Sequence, residues 1–263
     1  MTTGLSGDLH GKVVVITGGT QGIGGAAALR CAEWGAAGLV LAARDTAKGE
    51  AAVAAIAALG CRAVFVPVDL AGADAPGQIL AACDTAFGRI DGLVNAAALT
   101  DRGGFDDATP EFFDRMMAVN ARAPFLLMQG ALQRMRRDSI AGSIVNVLSM
   151  NAHCGAPDLS AYSASKGALS TLTRNAANAF LKDRIRVNGI NVGWADTPNE
   201  RALQSRIHPD GPRWLETASA ARPFGRLINT DELADLIAFL LSRHSGMMTG
   251  TLLDYEQRVL GAA

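Results

Sequence analysis

Tyr162 and Lys166 could transfer a proton, and they have the spacing that a proton-transfer site on a helix requires. Tyr162 and Lys166 are four residues apart, so on a helix they lie one turn apart on one face. A tyrosine with its ordinary pKa of about 10 is a weak base at neutral pH. A neighbouring ammonium stabilises the phenolate and lowers that pKa. The spacing therefore indicates a tyrosine activated as a general base.

The surrounding elements decide between an active site and an ordinary surface pair, because a lone Tyr-x-x-x-Lys match is more often the latter. The apolar run at 143–148 is typical of a buried strand and is followed directly by Ser149. Ser149 would then lie at the carboxyl end of a strand, where open α/β sheets bind ligands. Tyr162 falls near the start of a helix predicted at 161–181.

A glycine-rich turn near the start of the chain has the context of a nucleotide-binding loop. The β-branched run at 12–17 predicts a buried strand, the turn at 18–24 contains four glycines, and a helical stretch occupies 25–34. Glycines let backbone N–H groups approach a pyrophosphate, and a helix N-terminus favours its charge. Strand, turn and helix together predict dinucleotide binding.

Strands and helices alternate along most of the chain, which predicts an α/β fold: a single-domain (1–263), doubly wound parallel sheet of about seven strands with helices on both faces. The other strands are predicted at 39–43, 63–68, 93–95, 143–148, 186–190 and 251–254. The other helices are predicted at 46–59, 73–87, 109–137 (bent near Pro124), 161–181 and 231–242. The alternation fails at 192–221, a segment rich in polar residues, proline and tryptophan. We interpret this insertion as a lid over a substrate site.

Composition excludes several classes of protein. The net charge is −1 with no block of lysine and arginine, so a nucleic-acid partner is not expected. No apolar run approaches the roughly 20 residues of a membrane span, and residues 1–10 lack the apolar region of a signal peptide. The four cysteines show no Cys-x-x-Cys spacing and indicate reduced thiols. We expect a cytoplasmic protein without a metal site.

These motifs together resemble the short-chain dehydrogenase/reductase family in its roughly 250-residue form, over almost the whole chain. The residues that match its cofactor-binding positions are Gly18, Thr20, Gln21, Gly22, Ile23, Gly24, Asp69, Leu70, Asn95, Ala96, Gly193 and Thr197. Asn120, Ser149, Tyr162 and Lys166 match its catalytic tetrad. Two departures from the family pattern stand out: Val192 replaces a proline, and Tyr255-Glu256 replaces a pair of glycines.

The resemblance implies reversible hydride transfer between a secondary alcohol and a nicotinamide. Tyr162 is expected to act as general base, and Ser149 to orient the substrate oxygen. Lys166 is expected to lower the Tyr162 pKa and to bind the nicotinamide ribose. Asn120 is expected to hold a water that relays protons to Lys166; bonding to backbone is its alternative role.

The choice of nucleotide depends on the end of the second strand. A ribose-binding acid is expected about 20 residues beyond the last glycine, and that position is Arg44. Arg44 could pair with a 2′-phosphate or could stack on the adenine. Asp45 complicates the prediction, although it could cap the next helix. We expect NADP, with NAD as the alternative.

The substrate is expected to be a polar alcohol or ketone, such as a sugar, polyol or hydroxy acid, because Asn151, His153 and Trp194 should line its pocket. A non-catalytic NADP(H)-sensing protein and a 3-oxoacyl reductase-like enzyme remain alternative functions. The resemblance also implies a homotetramer or homodimer. Small apolar residues at helical spacing, Ala161, Ala164, Ala168 and Leu172, suit either a subunit contact or packing on the sheet.

Overall fold

The computed structural model describes residues 8–260, so most of the polar N-terminal stretch lies outside the described residues. Seven parallel strands form one sheet in the order β3-β2-β1-β4-β5-β6-β7. The strands are β1 Val13–Thr17, β2 Gly38–Ala43, β3 Arg62–Pro67, β4 Gly92–Asn95, β5 Ser143–Val147, β6 Arg186–Val192 and β7 Leu252–Tyr255. The chain reverses its direction of travel across the sheet between β1 and β4, which creates a ligand-binding crevice at their carboxyl ends. The predicted fold class is confirmed.

The helices cover both faces of the sheet because alternate strand residues are apolar on both sides. In β1, Val14 and Ile16 enter one core, while Val13 and Val15 enter the other, and all four are almost completely buried. Each fully buried valine or isoleucine side chain stabilises the fold by about 1.5–3 kcal/mol.

One core is covered by α1 Gly22–Glu33, α2 Thr46–Ala58 and α9 Thr230–Leu241, and the other by α3 Ala75–Phe87, α5 Ala123–Arg137 and α6 Ser160–Ala179. The remaining helices are α4 Pro110–Met117, α7 Pro198–Ile207 and α8 Trp214–Ala220. No helix within residues 8–260 is both long and apolar enough to cross a membrane.

The long helix predicted at 109–137 is interrupted close to Pro124. Its break is a π-helical turn, Ala118–Arg122, that joins α4 to α5. Pro124 is the second residue of α5, and its missing N–H leaves no helical donor for the carbonyl of Asn120, which lies in this turn. Thr109 caps α4 by accepting a hydrogen bond from the Phe112 N–H.

The segment 192–221 is more regular than a loop. It contains α7 and α8, and its Trp214 is buried against Ala218 and Leu227 in a small core of its own. Ala195 and Ile228 form an isolated parallel bridge at its base. The base of the segment is tied to the main core through Ala195 and Ile228, while Trp214 forms a small core of its own.

Candidate active site

The glycine-rich turn is shaped for close approach of a ligand to the backbone. Gly18 and Gly22 have φ angles of +67° and +55°, which L side chains rarely adopt. A Cβ at Gly24 would collide with the carbonyl oxygen of Gly18. The turn leads directly into α1, which begins at Gly22, earlier than the predicted residue 25. These residues fit the pyrophosphate of a dinucleotide at a helix N-terminus.

One cavity of about 1110 Å³ extends from this turn across the carboxyl ends of the strands. Most of the predicted site residues line it: Gly18, Thr20, Gln21, Gly22, Ile23, Gly24, Arg44, Asp69, Leu70, Ala96, Ser149, Asn151, Tyr162, Lys166, Gly193, Trp194 and Thr197. Its volume exceeds that of an ordinary small-ligand pocket, about 300–1,000 Å³. It is large enough for a dinucleotide together with a small substrate.

Tyr162 and Ser149 meet in this cavity. Ser149 follows β5 as predicted, and its nearby hydroxyl, which can donate to the phenol oxygen, lowers the pKa of Tyr162. Burial acts in the opposite direction and is the larger effect, so the pKa of Tyr162 is raised above its ordinary value. The charge of Glu200 raises it further, while that of Arg102 lowers it.

Lys166 is held by the backbone of β5. Its Nζ donates a hydrogen bond of 2.7 Å to the carbonyl of Val147 and lies 5.8 Å from the centre of the Tyr162 ring. Lys166 is almost completely buried, which lowers its pKa to about 8. Arg102 is the cation that lowers the Tyr162 pKa in this geometry, and the same effect of Lys166 stays a prediction.

Asn120 lies in the π-helical turn and is fully buried. Its Oδ1 accepts a hydrogen bond of 2.8 Å from the Leu99 N–H, and its Nδ2 donates to the Leu99 carbonyl at 2.9 Å and to Ser165 Oγ at 3.0 Å. Asn120 lies behind the residues that line the cavity and ties the loop after β4 to α6. This is the backbone-bonded role named as its alternative, and the proton relay remains a prediction.

Two other predicted site residues lie outside the cavity lining. Asn95 donates a hydrogen bond of 2.8 Å to Asn146 on β5, so its side chain joins two strands within the sheet. The ring of His153 is 3.2 Å from an oxygen of Asp254 and 3.3 Å from Asn191. His153 follows a short 3₁₀ turn, Met150–Ala152, which carries its side chain toward β6 and β7. The structure therefore does not support substrate contact by His153.

At one end of the cavity, basic residues surround the end of β2. Asp45 caps α2 by accepting a hydrogen bond from the Lys48 N–H, as its alternative role predicted. The ammonium of Lys48 donates to the Gln21 side chain at 2.7 Å, and Gln21 in turn donates to Asn199 at 2.8 Å. Lys48, which was not predicted as a site residue, reaches the glycine-rich turn from the first turn of α2.

At the other end, polar side chains from the lid segment enter the cavity. Glu200 accepts hydrogen bonds of 2.8 Å from Trp194 Nε1 and Gln204 Nε2. Arg102, Arg222 and Glu256 also line this cavity and were not predicted. Of these, only Glu256 carried a signal in the sequence, because it replaces a glycine of the family pattern.

The two departures from the family pattern contact each other. Val192 on β6 is in register with Tyr255 on β7, and the Gly193 N–H donates to the Tyr255 carbonyl at 2.9 Å. A Cβ at Gly193 would collide with the carboxylate of Glu256. Gly193 therefore leaves the space into which Glu256 extends.

Comparisons with known proteins agree on one family. The family model described as enoyl-(acyl carrier protein) reductase matches residues 18–256. An uncharacterized oxidoreductase of Thermotoga maritima is 36% identical over 253 residues, which cover 95% of this chain and 97% of the relative.

Two solved structures cover nearly the whole chain. L-sorbose reductase from Gluconobacter frateurii, complexed with NADPH and L-sorbose, superposes with a TM-score of 0.90 at 28% identity and covers 98% of this chain and 100% of its own. An NAD⁺-bound xylitol dehydrogenase superposes with a TM-score of 0.86 at 28% identity, with coverages of 95% and 99%. The chain belongs to the short-chain dehydrogenase/reductase family of oxidoreductases.

Proposed function

We propose that the protein interconverts a secondary alcohol and a ketone by hydride transfer to or from a nicotinamide cofactor. The observation that carries the proposal is the meeting of Ser149, Tyr162 and Lys166 with the glycine-rich turn in one cavity. The nicotinamide supplies the hydride chemistry. The glycine-rich turn, Asp69, Ala96 and Thr197 are the lining residues that would hold the cofactor.

In the oxidation direction, Tyr162 as phenolate accepts the hydroxyl proton of the alcohol. The Ser149 hydroxyl has one hydrogen to donate, so it can bind either the phenolate or a substrate carbonyl oxygen. Lys166 is buried beside the ring, and its pKa of about 8 lies close to neutrality, so it carries its proton and positive charge at lower pH and loses both at higher pH. The two side chains thus form a proton-transfer pair.

We further propose that NADP(H) is preferred to NAD(H). Arg44 and Lys48 line the cavity at the end of β2, where a ribose-binding acid would otherwise lie. Asp45 is occupied as the cap of α2. A 2′-phosphate would meet two cations there, and guanidinium–phosphate pairs are strong hydrogen bonds.

We also propose a substrate class, a cellular location and an assembly for the protein. Asn151, Glu200 and Gln204 give the cavity polar walls, which suits a polar substrate such as a sugar, polyol or hydroxy acid. The four unpaired cysteines are typical of a reducing compartment such as the cytoplasm. A homotetramer or homodimer is the proposed assembly, and the segment 192–221 is proposed to close over the substrate.

The proposed chemistry is tested by Tyr162→Phe. We expect turnover in a panel of alcohols and ketones to fall by at least about a hundredfold, since general base catalysis contributes about 10²–10⁴-fold. Cofactor binding, measured by the fluorescence of NADPH, should remain nearly unchanged.

The matched control is Tyr255→Phe, which changes the chain's other tyrosine outside the cavity lining. It should keep near-normal turnover. Near-normal turnover of Tyr162→Phe would contradict the proposal.

A further inference from the structure

Two arginines face the substrate end of the cavity with unused hydrogen-bonding capacity. Arg102 and Arg222 both line the cavity, and the Nε atom of each is buried without a hydrogen-bond partner. Within residues 8–260, neither guanidinium donates a hydrogen bond. The nearest acid to Arg102 is Asp158, whose carboxylate lies 3.6 Å from Nε and is 57% exposed. The terminal nitrogens of both guanidinium groups also donate no hydrogen bond to the protein, so a ligand oxygen in the cavity is a natural partner for them.

Arg102 lies at the catalytic side of this space. It belongs to the loop after β4, which docks on the 3₁₀ turn before α6 through a hydrogen bond of 2.8 Å from the Gly103 N–H to the Asp158 carbonyl. Arg102 and Tyr162 line the same cavity, and the charge of Arg102 lowers the pKa of Tyr162. One small molecule in the cavity could therefore contact both.

Arg222 lines the same cavity and follows α8. Its guanidinium stacks on the face of Trp194, with 4.9 Å between Cζ and the ring centre. Trp194 is itself held by Glu200 and by stacking on Trp214 at 5.6 Å between ring centres. Stacking uses the face of the guanidinium and leaves its edge free for in-plane hydrogen bonds to a carboxylate. The lid segment thus presents a pre-oriented donor.

The acids that line the same cavity are already engaged by protein donors. Glu200 accepts from Trp194 and Gln204, and Glu256 accepts a 2.6 Å hydrogen bond from the Gln257 N–H. Arg102 and Arg222 are therefore cationic donors that these acids leave available for a ligand. The two carboxylates also favour a singly charged anion, because they would repel a phosphate dianion more strongly.

From this arrangement we propose that the substrate is a hydroxy or oxo acid whose carboxylate is bound by Arg102 and Arg222 while its carbinol or carbonyl carbon lies at Ser149 and Tyr162. This inference rests on the proposed oxidoreductase function and narrows its substrate class from polar compounds in general to carboxylates.

The test compares acids with amides of the same shape. The probes are 2-hydroxybutyrate, 3-hydroxybutyrate and 4-hydroxypentanoate, each with its primary amide, and xylitol as a neutral polyol. We expect wild type to prefer at least one acid over its amide by about tenfold or more in kcat/KM, as hydrogen bonds to a charged group predict. Arg102→Gln and Arg222→Gln should each remove most of that preference.

The ratio of acid to amide is the quantity to compare between variants. Arg102→Gln also alters Tyr162, but that effect is common to both probes and cancels in the ratio. Arg213→Gln is the matched control, since Arg213 is an exposed lid residue outside the cavity lining and should leave the ratio unchanged.

The outcomes separate the two proposals. Turnover of the amides or xylitol with no acid preferred over its amide would overturn the carboxylate inference and leave the oxidoreductase proposal standing. If no probe is turned over, tryptophan fluorescence decides, because Arg222 stacks on Trp194. A saturable change with the acids in wild type and Arg213→Gln, but not in Arg222→Gln, supports the carboxylate site. No saturable change with any acid overturns it.

Discussion

Charged residues other than Lys166 affect the pKa of Tyr162. Burial raises the Tyr162 pKa, which makes the phenol a poorer base at neutral pH in this geometry. Arg102 and the Ser149 hydroxyl oppose that effect, while Glu200 adds to it. The working pH of the enzyme should therefore depend on Glu200 and Arg102 as well as on Lys166.

Glu200→Gln should move alcohol oxidation to lower pH. The change removes a negative charge that raises the Tyr162 pKa, so the phenolate forms at lower pH. Glutamine keeps a side-chain oxygen that can accept the Trp194 and Gln204 hydrogen bonds. The measurement is the pH profile of kcat/KM, which reports the free enzyme.

Glu216→Gln, on an exposed residue of α8, is the control for this prediction and should leave the profile in place. A profile of Glu200→Gln that stays fixed or moves to higher pH would show that Glu200 does not act on Tyr162.

Nucleotide preference should depend on Arg44 and Lys48. A hydrogen bond to a charged phosphate contributes about 1.5–3 kcal/mol, which is roughly a ten- to hundredfold preference. Arg44→Ala and Lys48→Ala should each lower kcat/KM for NADP(H) by such a factor, and Ala43→Asp should shift preference to NAD(H) by repelling the phosphate. Added salt should weaken the wild-type preference because both cations are exposed.

The values for NAD(H) in the same variants are the internal control. A wild-type preference for NAD(H), or an unchanged ratio in Arg44→Ala, would mean that Arg44 does not bind the 2′-phosphate.

The parts of the site that depend on a local sequence pattern could be predicted from the sequence. The glycine-rich turn, the residue after β5 and the Tyr162–Lys166 spacing are each contained in a few consecutive residues, and the cavity brings them together. Arg102, Arg222 and Lys48 were missed because their roles depend on which distant segments fold against one another. The side-chain directions of Asn95 and His153 were missed for the same reason.

Among the elements, those with a strong apolar pattern were predicted within a few residues, and irregular ones were not. The strands and most helices follow from buried apolar periodicity. The π-helical turn at Ala118–Arg122 has no apolar pattern of its own, and its local signal is Pro124 just beyond it. The helices of the lid segment were missed because their small core includes tryptophans that, in sequence, resemble pocket residues.

The lid segment should exchange amide hydrogens faster, independently of the sheet, when Trp214 in its small core is replaced by alanine. Trp214 is 2% exposed and stacks on Trp194, and replacing a buried tryptophan by alanine costs about 3–5 kcal/mol. In Trp214→Ala we expect faster hydrogen exchange across 198–220 with little change in the sheet. The substrate KM should rise because Trp194 and Arg222 lose their support. In wild type without ligand, 197–221 should already exchange faster than the sheet.

Trp34→Ala is the contrasting variant, because Trp34 belongs to the main core and its loss should lower the stability of the whole fold. Equal acceleration of exchange in sheet and lid by Trp214→Ala would show that the lid segment is not a separate unit.

For the whole molecule, the face of α6 that was expected to form a subunit contact is only partly exposed. Ala161 is buried and Leu172 packs against the core under α6, so both serve packing on the sheet, while Ala164 is exposed. Larger apolar groups are exposed on the two helices that contact α6: Phe113 on α4 is 44% exposed and Phe125 on α5 is 42% exposed. Two half-exposed phenylalanines on these helices favour an interface there.

We expect the wild-type protein to be a dimer or tetramer at micromolar concentration by light scattering, and Phe113→Glu and Phe125→Glu to shift it toward the monomer. Burying a phenylalanine contributes about 1.5–3 kcal/mol, and a symmetric interface contains each residue on both subunits. Losing either should therefore weaken association at least about a hundredfold. Phe224→Glu is the control, since Phe224 is exposed outside these helices and should keep the wild-type mass. A monomeric wild type would defeat the proposed assembly, and an oligomer unaffected by both variants would place the interface on another face.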